Sequence, residues 1–235
     1  MMFTGFPPGA QQFLVQLTQN NDRAWFAENR ERYERELLGP EKDFVDAIGA
    51  KFAQIDQRVQ AVPAVNRSIF RINRDIRFTP DKSPYKTFSD LWFWVGEERK
   101  FAAGYFVRIL PDEIWVGGGQ YQMNPDQLRR YRVAVADGVR GRWIESVLSD
   151  LAAAGYEMGE PSLKRVPAGF SAQQSRADLL RFTEIHVITK VSPPPAEMQS
   201  AAFVEWCMER FSAVKPLVDW LTEELAGLYP PDMRL

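Results

Sequence analysis

The stretch Phe70–Thr87, FRINRDIRFTPDKSPYKT, brings together Arg71, Arg74, Arg77, Lys82 and Lys86 with only Asp75 and Asp81 to balance them. That window carries a local charge of +3 in a chain whose net charge is −2. Arginine presents a planar fork suited to carboxylate or phosphate oxygens, and lysine a compact point charge. Pro80 and Pro84 stiffen the backbone and hold Lys82, Tyr85 and Lys86 in place relative to the residues before them. The chemistry this suggests is an anion cradle for a small phosphorylated or carboxylated ligand. Arg71, Arg77, Lys82 and Lys86 would bind the anion, Arg74 and Asp75 would organise the site, and Tyr85 would donate a hydrogen bond. If a reaction occurs, the base on offer is Asp75, or Glu28 from the stretch WFAENR. Oxygen ligands would restrict any metal to the magnesium class.

Read as a strand, the segment places Phe70, Ile72, Ile76 and Phe78 on one face with Arg74 alone among them. A guanidinium on an apolar face must be paired, because an uncompensated buried charge costs several kcal/mol. Two other readings of the same cations remain open. In one, a non-catalytic interaction protein docks an acidic partner or nucleic-acid phosphate. In the other, Asp22, Glu28 and further carboxylates consume the cations in a structural network, and there is no site.

The rest of the composition narrows the chemistry. His186 is the only histidine and Cys207 the only cysteine, so one chain cannot build a His/Cys zinc site or an internal disulfide. No cofactor is expected. His186 sits in the strand-like run EIHVITK, which favours a core or edge role over a catalytic triad. GFSAQ at Gly169–Gln173 lacks the second glycine of a nucleophile elbow. Gly117–Gly119 lacks the spacing of a phosphate loop and reads as a bulge or strand end. Trp92, Trp94, Tyr105 and Trp115 could stack bases but read more simply as the core of a sheet. The near-neutral charge creates no global field for nucleic acid or anionic membrane. No run approaches the roughly 20 apolar residues of a membrane span. The N-terminal residues lack the features of a secretory signal, and the expected location is the cytoplasm.

The elements that must position these residues follow from periodicity. Phe13, Leu14 and Leu17 mark a first helix, with Asn20 and Asn21 ending it and capping the next, DRAWFAENRERYERELLG. Gly39 is expected to end that helix and Pro40 to open another, with Phe44, Ile48 and Phe52 inward. FSDLWFWVG, KFAAGYFVRIL and EIWVGGGQYQM predict an antiparallel meander. Asn124 and Pro125 open a helix that Gly138 follows, and Gly155 closes another. EIHVITKV predicts a strand. The end of the chain, within residues 196–235, predicts a pair of helices broken near Pro216 and docked on the rest. Helices, then meander, then helices argue for a single α+β domain.

The segment FRINRDIRFTPDKSPYKT resembles the hallmark of an uncharacterised family, domain of unknown function 2461. The resemblance extends to NNDRAWFAENRERYE, to GGGQY with the following NPDQL, and to LKRVPAGF at Leu163–Phe170, spanning about Phe3–Trp220. Thr79-Pro80 stands where many relatives are expected to carry a Ser-Lys pair, so one cation of the cradle is missing here. The resemblance implies one α+β domain of this length and implies no reaction.

Overall fold

A computed structural model describes residues 2–226. Helix α1, Pro8–Gln19, starts on a proline whose fixed φ suits the first helical turn, and it buries Ala10, Phe13, Leu14 and Leu17. The cap of the next helix is Asp22 rather than the asparagines before it. Its carboxylate accepts the Ala24 and Trp25 N–H groups.

From Arg23 to Ile55 the chain stays helical as α2 (Arg23–Glu28), α3 (Arg30–Tyr33), a π-helical turn (Glu34–Leu38) and α4 (Gly39–Ile55). Gly39 and Pro40 therefore do not separate two helices. Gly39 keeps a helical φ of −61° and donates its N–H to Glu34, five residues back. This wide turn accommodates the donor that Pro40 lacks and the crowding its ring brings. Beyond it, Glu41 shares the buried stripe of Phe44, Val45, Ile48 and Phe52.

Six strands form an antiparallel sheet: β1 (Val59–Gln60), β2 (Ser89–Val95), β3 (Gly104–Ile109), β4 (Ile114–Gln120), β5 (Glu157–Met158) and β6 (Ile185–Val191). Their order is β1-β2-β3-β4-β6-β5. The meander β2–β4 and the strand β6 are those predicted, and the class is α+β. The edge strands β1 and β5 are two residues each, too short to show an alternation.

The described chain falls into two compact units. One comprises residues 2–97, 106–116 and 190–210, the other 98–105, 117–189 and 211–226. In the first, Phe93 of β2 lies 6.4 Å from Phe44 and 5.7 Å from Phe52, centroid to centroid, so α4 packs on that face of the strand. In the second, α5 (Pro125–Ala136) opens with a capping box between Asn124 and Gln127, and α6 (Arg140–Ala153) ends before Gly155 at φ +83°. Gly118 lets β4 approach Val214 and Val218; an added Cβ would sit 3.0–3.1 Å from their methyls. Gly118 thus serves the packing of Val214 and Val218 on β4, and Gly119, at φ +140°, the close approach of β6.

Helix α7, Phe203–Ala226, runs through Pro216 without a break, so the expected helical pair is one helix. Interior proline costs about 3 kcal/mol. Continuous burial of Phe211, Val214, Leu217, Val218 and Leu221 outweighs it, at roughly 1.5–3 kcal/mol per side chain. Residues 227–235, the rest of that expected pair, lie outside the described residues.

Candidate functional site

The basic segment is not a strand. It leaves the sheet edge as an irregular hairpin anchored by a few backbone bonds. Phe70 N–H donates to Asp90 O at 3.0 Å, Lys86 N–H to Ile72 O at 2.8 Å, and Arg74 N–H to Pro84 O at 2.9 Å. The pairing of Asn73 with Tyr85 is an isolated bridge. Pro84 has no N–H to return to Arg74, which stops the ladder there. The expected apolar face dissolves beyond that point: Ile72 is buried, while Phe78 is 91% exposed.

At the hairpin tip, the cations are tied to neighbours in the same segment. Asp75 accepts from Arg77 Nε at 2.9 Å and from its Nη2 at 2.7 Å. Arg74 pairs with Asp81, which also accepts from the Ser83 N–H and hydroxyl. Lys82 Nζ donates to Ile76 O at 2.8 Å. Arg74 therefore has the carboxylate partner its position called for, but not the buried face. Asp81 is exposed, and a pair so close to solvent contributes little to stability. Hydrogen bonds from Arg77 hold the Asp75 carboxyl well below the usual carboxylate range, which makes it a poor base. Glu28 is exposed at the end of α2, and Asp22 is used as a helix cap, so neither takes up the cations.

The hairpin base differs. Asp90 of β2 accepts from Arg108 of β3 at 2.6 and 3.2 Å, and Lys86 Nζ lies 3.9 Å away on the same carboxylate. Burial pushes the Lys86 pKa down; Asp90 opposes that, while Arg108 and Arg71 push it further down. Lys86 thus shares its one carboxylate with Arg108 and feels the charge of Arg71 as well. Arg71 itself is exposed and forms no ion pair among the described residues. Arg108 escaped the sequence reading. The signal was an arginine between Val107 and Ile109 in one predicted strand and an aspartate between Ser89 and Leu91 in the next. Opposite charges on adjacent strands pair when they share a face.

Tyr85 fastens this base to the N-terminal helices. Its ring stacks on Phe26 at 4.1 Å. The Asn21 side chain accepts from the Tyr85 N–H and donates to its carbonyl, both at 3.0 Å. Asn21, expected to cap a helix, instead closes this two-bond clasp.

Beneath the base lies Glu41, 0% exposed, with neither carboxylate oxygen in hydrogen-bonding geometry. Desolvation pushes its carboxyl up to about 8; the Ser89 hydroxyl acts against this and Asp90 adds to it. The same carboxyl raises the Tyr33 pKa, after burial itself. Glu41 is a buried titratable group that sequence reasoning missed. Its signal was spacing: it lies three residues before Phe44 and seven before Ile48, on the apolar stripe.

Elsewhere, Trp92, Trp94 and Tyr105 are buried as sheet core, whereas Trp115 is half-buried. His186 stacks on Tyr121 at 4.2 Å, in β6. Among the described residues, no group of three or more His, Cys, Asp or Glu side chains is placed to hold a metal ion.

The model of the family described as conserved hypothetical protein, domain of unknown function 2461, matches residues 9–220. The chain belongs to this family. The match takes in the hairpin, its base and Glu41 alike. No curated protein and no solved structure matches the chain.

Proposed function

We infer that the protein binds a small anionic ligand, phosphorylated or carboxylated, at the base of the hairpin. The residues that meet it are Arg71, Lys86 and Arg108, with Tyr85 fixing the backbone between Lys86 and the N-terminal helices. The observation that carries this reading is the excess of charge: Lys86 and Arg108 share the one carboxylate of Asp90, and the charge of Arg71 adds to that of Arg108 against Lys86. An anion relieves that repulsion and offers Arg71 a fork partner. Arg77, Lys82, Arg74 and Asp75, first assigned to the cradle, instead shape the tip by pairing within it. A cytoplasmic location belongs to the same proposal. It rests on a buried free thiol at Cys207 and on the lack, among the described residues, of a helix able to cross a membrane.

The test is a melting-temperature screen at low salt with inorganic phosphate, pyrophosphate, sugar phosphates, nucleotides and dicarboxylates. At a hundredfold excess over Kd, a ligand specific to the folded state stabilises it by about 2.7 kcal/mol. For a domain of this length that is a rise of roughly 5–10 °C. Combining Arg71→Ala with Lys86→Gln should abolish the rise, and Lys82→Ala should leave it. A rise that survives the double variant, or no rise with any anion, refutes the assignment. The interaction reading keeps one favourable observation, the outward Arg77 at the tip. An acidic partner whose binding fails with Arg77→Ala would support it instead.

A further inference from the structure

Strand periodicity extends the anion site across the sheet. Phe93 faces α4, so Asp90 projects from the opposite face of β2, and its partner Arg108 shares that face on β3. The Arg108 guanidinium lies 4.1 Å from the Phe88 ring centroid and 5.0 Å from that of Trp115 on β4. Lys190 on β6 reaches the same Trp115 ring at 5.4 Å. On the hairpin side, Lys86 lies 5.2 Å from the Phe70 ring and 5.8 Å from Phe88. The result is an alternation of ring and cation: Phe70, Lys86, Phe88, Arg108, Trp115, Lys190. From Phe88, the residue before β2, it crosses β3, β4 and β6, which follow β2 in that order, and so covers about 14 Å at the usual strand spacing. Phe70 and Lys190 are exposed, and Phe88 and Trp115 half-buried, so the stripe reaches solvent along its length.

A single phosphate occupies one end of such a stripe. Repeated cations interleaved with ring faces match a ligand that repeats phosphate and planar base, the arrangement by which single strands are held without sequence preference. Arg71 supplies a further cation beside Lys86. We propose that this sheet face is a track for single-stranded nucleic acid, with Arg71, Lys86, Arg108 and Lys190 on phosphates and Phe70, Phe88 and Trp115 as stacking rungs. The proposal rests on the anion reading of the hairpin base and specifies the ligand class. Lys190 and Lys86 leave the rings for the backbone when a strand arrives, and Arg108 stays anchored by Asp90.

The probe is a fluorescein-labelled oligothymidylate of about twelve nucleotides, within the site sizes such folds use. Binding is read by anisotropy at several salt concentrations, beside a duplex of equal length and beside the pyrophosphate melting shift. The single strand should bind more tightly than the duplex. Trp115→Leu should weaken it by roughly 5- to 150-fold, and Trp115→Phe should restore most of the loss. Lys190→Ala should lower the log–log salt slope by about 0.7 and leave the pyrophosphate shift unchanged. Equal binding of duplex, or an unaltered affinity in a folded Trp115→Leu, overturns the track. A pyrophosphate shift without oligonucleotide binding overturns the track alone and leaves the small-anion reading in place. No response to either probe overturns both.

Discussion

Glu41 places a titratable group where water does not reach. Its ordinary value of 4.5 is raised to about 8 by burial, with the Ser89 hydroxyl acting against the rise and Asp90 adding to it. Below pH 4.5 the carboxyl is protonated in both folded and unfolded chains and has no effect on their balance. Between pH 4.5 and 8 the folded chain holds a proton that the unfolded chain has released, so stability falls as pH rises. The slope from this one group is at most about 1.4 kcal/mol per pH unit. Above pH 8 its cost is constant. Glu41→Gln keeps the shape and removes the ionisation. The variant should melt close to the wild type near pH 4 and several degrees above it near pH 8. Parallel melting profiles across that range would mean that the carboxyl ionises freely in the fold. The tip residues act oppositely: Asp75 and Asp81 are held low by Arg77 and Arg74, so what their pairing contributes is lost only in acid.

At the scale of elements, close approach rather than propensity decides β4. The Gly118 Cα lies against α7 and against the Gly104 carbonyl, with 3.0 Å between that oxygen and an added Cβ. A backbone oxygen cannot move aside as a side-chain tip can. Gly118→Ala should lower stability by about 1–3 kcal/mol, read as a shift in urea midpoint at constant m. A neutral result would show that α7 yields at Val214 and Val218. The hairpin illustrates the reverse. The alternation Phe70, Ile72, Ile76, Phe78 predicts a strand, but no neighbouring strand covers its outer half, and Pro84 ends the ladder. Alternation is a demand for a partner, and the partner was missing. Pro216 misled for a related reason: its local cost is real, but a buried helical face on both sides exceeds it.

For the whole molecule, Cys207 offers a global probe. It is fully buried, and burial holds its thiol well above the usual range. A thiol reagent should label it only as fast as the surrounding structure opens, with rates that track the stability of the variants above. Rapid labelling of native protein would place α7 among the locally unstable elements.

The sequence by itself determined the class, the meander, the caps at Asn124 and Gly155, the family, and the stretch of chain that carries the unusual charge. These are written in local period, turn chemistry and residue type, which one stretch of chain holds without reference to another. Only the tertiary structure decided which cations are spent and which are in excess. Arg74 and Arg77 find carboxylates within the tip, whereas Lys86 shares Asp90 with an arginine from a neighbouring strand and Arg71 has no carboxylate partner among the described residues. The same holds for the titration of Glu41, which desolvation and the nearby Asp90 together displace. Charge balance and desolvation are sums over neighbours in space, and those neighbours come from residues 41, 71, 86, 90 and 108, which linear spacing does not bring together.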